Sequence, residues 1–136
     1  KREGKVFRLE DLKKCQERSG KFEGFIHSTW IGVSALALKQ GWESENVIKG
    51  LEFLDSVPLH EWVSSQMSWM LSCFSMAGIP KDNAFSRRIA EELMLRQRED
   101  GSFASEDGDP FAVNATVEAI KVIKWAESAG ISRKIF

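Results

Sequence analysis

Gln16-Glu17-Arg18-Ser19-Gly20-Lys21-Phe22 returns later in the chain as Gln97-Arg98-Glu99-Asp100-Gly101-Ser102-Phe103. Gln, Gly and Phe are all kept at one offset, 97 − 16 = 81 residues. A degraded copy lies midway, from Leu54 to Trp62. Its aromatic stands 62 − 22 = 40 residues after Phe22 and 103 − 62 = 41 before Phe103. In the segments that follow, Trp30 and Trp69 repeat the spacing at 39. Self-similarity at such a period marks stacked units, each unable to bury both of its faces alone.

The segments around the three turns read as helices. One is expected from about Leu9 to Arg18, and a second from Ile26 to Gln40, stopped at Gly41. Ser44 is placed to cap a third, whose Val47, Leu51 and Leu54 recur at helical spacing. Trp62 to Ala77 forms a fourth, closed by Gly78 with Pro80 beyond. The fifth begins at Asp82 or Asn83 and carries Phe85, Ile89 and Leu93. Asp109 is expected to cap the sixth, with Pro110 in its first turn. That helix then runs along Val113, Val117, Ile120 and Ile123 to Gly130. Alternating runs of β-branched residues, the sign of strands, are absent. The expected fold is all-α: one domain over 1–136, made of three helical hairpins at about 9–41, 44–78 and 82–130. The even-numbered helices are the more apolar and carry many small residues, which makes them the inner layer.

Composition narrows the function. The chain has 136 residues, 43% hydrophobic and 29% charged, with a formal charge of −1. That balance gives no electrostatic footprint for nucleic acid. The longest apolar stretch, Trp30 to Leu38, is too short to cross a bilayer. Residues 1–21 hold no apolar leader core. Cys15 and Cys73 sit in helical segments and read as reduced thiols, so a cytoplasmic location is expected. No metal is expected from the residues themselves: there is no CxxC, and His60-Glu61 is not followed by a second histidine four residues on. GxGxxG, GxxxxGK[ST] and GxSxG are also missing.

The motif has structural work to do. A glutamine before a tight glycine turn can hydrogen-bond backbone groups at helix ends. The glycine takes the angle the turn needs, and the aromatic two residues on covers the join between hairpins. Gln16, Gly20, Phe22, Gln97, Gly101 and Phe103 are assigned that role. His27 and His60 read as solvated or capping groups. Asn114-Ala115-Thr116 has the pattern of a glycosylation site but is placed inside a buried helix.

Arg96 to Phe103, followed by Asp109-Pro110-Phe111 and Asn114 to Ile120, resembles the QW-type repeat of terpenoid cyclases and protein prenyltransferase β subunits. Lys49-Gly50-Leu51-Glu52-Phe53-Leu54 is similar to the opening of that motif. The resemblance implies an (α/α) toroid of two concentric helix rings and a prenyl diphosphate or other isoprenoid ligand, with Mg or Zn as the cofactor that such enzymes use. A closed ring of this kind takes about six hairpins. Three are present, so a half-barrel is expected, completed by a second copy (a homodimer) or by a missing remainder. In the family a DxDD cluster supplies the acid, and Asp107 and Asp109 in Glu106-Asp107-Gly108-Asp109 are the candidates here. No Asp-x-Cys or DDxxD occurs. Trp30, Met67, Trp69, Met70, Phe74 and Phe111 are the candidate contacts to an isoprenoid. The helix N-termini near Ile26, Val63 and Phe111 share one end, where their dipoles favour an anion, though no basic residue lies in those first turns. Two functions follow. One is part of a cyclase- or prenyltransferase-like barrel; the other is a non-catalytic binding or assembly module that keeps the repeat.

Overall fold

Helix formation follows the punctuation of the sequence closely. A computed structural model describes residues 8–128. Among these residues there are six α-helices and no strand: α1 (Leu9–Lys14), α2 (Ile26–Gln40), α3 (Glu45–Asp55), α4 (Ser64–Ala77), α5 (Ala84–Leu95) and α6 (Ala112–Glu127). Short 3-10 turns occupy Leu59–Glu61 and Asp109–Phe111. The Ser44 side chain accepts the Val47 N–H, and the Asn83 side chain accepts the Ser86 N–H. Each satisfies one of the orphan donors of a first turn. Gly78 ends α4 in the left-handed conformation at φ 78°, which costs glycine nothing. Gly41 also has positive φ, but its ψ of 152° leads the chain away extended.

Three helices depart from expectation. α4 begins at Ser64 rather than Trp62, because the 3-10 turn at Leu59–Glu61 leads into extended backbone at Trp62. α1 stops at Lys14 rather than Arg18, because Gln16 to Phe22 closes a turn pinned by an antiparallel bridge between those two residues. Asp109 does not cap α6. Gly108 (φ 106°) and Pro110 set a 3-10 turn first, and the helix begins only at Ala112 with no side-chain cap. The expected end at Gly130 lies outside the described residues.

The first and third turns share their main hydrogen bonds. Gln16 Nε2 donates to the Gly20 carbonyl at 3.0 Å, and Gln97 Nε2 to that of Gly101 at 2.9 Å. The Phe22 and Phe103 N–H groups each donate to a threonine hydroxyl, Thr29 and Thr116, at 2.9 Å. The Glu17 N–H reaches the Lys21 carbonyl as Arg98 reaches Ser102. In the third turn Asp100 also accepts from the Ser102 hydroxyl and N–H, which holds its carboxyl below the usual carboxylate range. Gln16 further donates to the Asn46 carbonyl at 2.9 Å and accepts from its side-chain amide at 2.7 Å, tying turn one to α3. Gly20, at φ 98°, lies so close to Lys49 that any Cβ would collide with its carbonyl. The middle turn lacks both Gln and Gly. Arg96 reaches back from the end of α5 to the carbonyls of Leu59 and Trp62, while Arg88 pairs with Asp55 at 2.9 Å.

Packing sorts the helices into two layers. α2 lies on α4 and α4 on α6, while α3 lies on α5. The layers meet where α1 and α3 pack on α2 and where α5 packs on both α4 and α6. Trp30, Trp62, Phe74 and Phe103 are fully buried between them. Phe85 of α5 meets Trp62 at 5.9 Å and Phe74 at 6.3 Å.

Candidate functional site

Ser65, Trp69 and Ser72 follow one another at spacings of four and three on α4, so they share a face. Phe111, Asn114, Ala115 and Glu118 do the same at the start of α6. Where these two faces meet, with Ser105 and Asp107 from the preceding loop, they wall an open groove of about 320 Å³. A second hollow continues it around Trp69 toward α2, lined by His27, Val63, Gln66 and Glu106.

The apolar part of the wall is aromatic. Trp69 is 55% exposed and Phe111 49%. Trp69 stands edge-on to the buried Trp30, with ring centroids 4.8 Å apart at 78°, a favoured arrangement of two π-systems. The His27 ring lies nearly parallel to Trp69 at 6.5 Å, with Phe25 stacked beyond it at 6.0 Å. Trp69 is thus exposed but held in place by rings on α2.

The polar part of the wall is acidic. Glu106 accepts from the Ser65 hydroxyl, bridging the loop to α4. The Asp107 N–H donates to the Ser105 hydroxyl at 3.1 Å, which fixes the loop beneath its carboxylate. Glu118 faces Lys121 at 3.7 Å along α6. Among the described residues, no lysine or arginine lines either hollow. The helix N-termini do converge here, but the three carboxylates make the groove unfavourable to a diphosphate.

Of the residues singled out in the sequence, Trp69, Phe111 and Asp107 come together in this groove. Trp30, Met67, Met70 and Phe74 do not reach it. They are fully buried and pack the core. Asp109 lies outside the lining, and His60 is exposed in the 3-10 turn at Leu59–Glu61. Asn114 is exposed on the groove, not buried as its place in an apolar helix suggested. Gln66, Ser105, Asn114 and Glu118 were missed. The paired spacing 65/69/72 and 111/114/118 on two helices that pack together finds Asn114 and Glu118, whereas Gln66 and Ser105 carry no such signal. Cys73 is free and half-buried on α4, and that burial pushes its thiol up.

Among the described residues, no group of three or more His, Cys, Asp or Glu is placed to hold a metal ion. Donors for the Mg or Zn that the resemblance implies are not assembled by these residues. No described helix is long and apolar enough to cross a membrane. Set against protein-family models, curated proteins and solved structures, the chain matches none of them.

Proposed function

We propose that the chain is a segment of an (α/α) toroid of the terpenoid cyclase and prenyltransferase type, and that its groove binds the hydrocarbon body of an isoprenoid. One observation carries this: Trp69 of α4 and Phe111 of the turn that leads into α6, large aromatics half open to solvent, face a single groove. Exposed rings held by neighbouring packing are what a hydrocarbon chain needs to leave water. The repeated Gln-Gly-aromatic turn and the two-layer packing support the kinship.

The role is binding. Protonating an alkene needs an acid kept away from water, and Asp107 and Asp109 are both exposed. The carboxylates further select against a diphosphate head and in favour of a neutral one. Ser65, Ser72 and Asn114 offer hydrogen bonds to a hydroxyl.

Titration of the chain with farnesol and with farnesyl diphosphate, followed by tryptophan fluorescence, tests the reading. Farnesol is expected to bind at least about tenfold tighter than the diphosphate. Trp69→Ala is expected to weaken farnesol binding by at least about tenfold. A diphosphate that binds more tightly than the alcohol, or farnesol binding untouched by Trp69→Ala, would overturn it.

A further inference from the structure

α2 and α6 flank α4 and form the two edges of one layer. The matching bonds from Phe22 to Thr29 and from Phe103 to Thr116 put α2 and α6 in a common register. In that register Val117 stands where Trp30 does, Ile120 where Val33 does, Ala115 where Ser28 does, and Val122 where Ala35 does.

Burial inverts between the two helices. Trp30 and Val33 are fully buried, the first against Trp69 of α4 and the second against Gly50 of α3. Their counterparts Val117 and Ile120 are 51% and 40% exposed, and Val113 on the same stripe is 72% exposed. The opposite face shows the reverse. Ala115 and Val122 are buried, whereas Ser28 and Ala35, with Ile31, line an open groove of about 790 Å³ beside α2. α6 therefore shows a branched apolar ridge with no helix among the described residues packed in front of it. α2 shows an open groove in which Ser28, Gly32 and Ala35 are small and Ile31 is partly exposed, with Leu12, Lys14 and Cys15 on its α1 side. Ridges of one helix set into grooves of another are how packed helices interlock.

We propose that a second copy of this chain closes both edges. α6 of each copy sets its Val113, Val117 and Ile120 ridge into the Ser28, Ile31 and Ala35 groove of the other, giving two equivalent junctions about a two-fold axis. Both halves of the contact belong to one chain and continue the packing already present between α2, α4 and α6. That continuity argues for a second copy over an unrelated partner. A stable interface buries roughly 1,200 Å² or more, and two-fold closure brings two such edges together at once.

Light scattering on the whole chain over a range of concentrations tests this. The expected mass is twice that of the 15.4 kDa chain. Val117→Lys and Ile31→Lys change exposed residues. Each is expected to weaken association at least about tenfold while leaving the helical circular dichroism unchanged. An equimolar mixture of the two variants keeps one intact junction, so it is expected to form dimers weaker than the parent's but tighter than either variant's alone. A parent that stays monomeric at about 100 µM overturns the proposal. So does a dimer sensitive to Val117→Lys but not to Ile31→Lys, which would be an α6-to-α6 contact. Open-ended polymers, or a dimer indifferent to both changes, overturn it as well.

Discussion

Thr29 and Thr116 join each turn to the helix after it. A buried backbone N–H with no acceptor costs about 1–3 kcal/mol, and the Thr29 hydroxyl is what spares Phe22 that cost. Thr29→Val keeps the side chain's shape and removes the acceptor. Its unfolding free energy in urea is expected to fall by about 1–3 kcal/mol, with Thr29→Ser recovering most of the loss. Thr116→Val is expected to cost less, since Thr116 is only half-buried. A valine variant as stable as the parent would remove this bond from the account of the repeat. Neither threonine is distinctive in the sequence, because a six-residue difference in loop length hides their equivalence. Gln, Gly and Phe were legible because they keep a fixed offset, and the threonines do not.

Individual helices show where local signals suffice and where they mislead. Ser44 and Asn83 cap as their chemistry predicts, and Asp109 does not. Ser44→Ala and Asn83→Ala are each expected to lower thermal stability by about 1 kcal/mol. Asp109→Ala is expected to stay within about 0.5 kcal/mol. A larger loss for Asp109→Ala than for Asn83→Ala in parallel melts would reverse that assignment. The Asp-Pro pair looked like a helix start because proline suits a first turn. Gly108 at positive φ and the 3-10 turn then moved the true start downstream. α6 misled in a second way. Val113, Val117, Ile120 and Ile123 recur at helical spacing, yet of these only Ile123 is buried, together with Ala115, Ala119, Val122 and Ala126. Spacing alone does not say which apolar face is covered. On this edge helix the close-packed face is mostly alanine, with Val122 and Ile123, and the face of Val113, Val117 and Ile120 is left open. The groove follows the same logic: Trp30 and Trp69 look equivalent by spacing, and only the packing shows that one is sealed and the other open.

Across the whole molecule, stability is distributed as a stack distributes it, each unit supported by its neighbours. α4 touches α2, α5 and α6, whereas α1, six residues long, packs on α2 alone to any extent. Short helices without several neighbours open at low free energy, and central ones open only with the whole fold. Hydrogen exchange is therefore expected to be slowest in α4 and fastest, among the helices, in α1. The same gradient sets the cost of truncating core residues. Phe74→Ala removes a fully buried ring that meets Phe85 of α5. It is expected to cost about 3–5 kcal/mol and to speed exchange in every helix at once. Leu12→Ala, at the edge, is expected to lie near 2 kcal/mol, the low end for such a change, and to speed exchange in α1 and the facing part of α2 only. Equal protection of α1 and α4, or a Phe74→Ala effect confined to α4, would mean that the helices do not support one another in this order. The order itself comes from the interior: a core threaded from Trp30 through Met70 and Phe74 to Ile123 runs through α4, so no neighbour of that helix can open it alone.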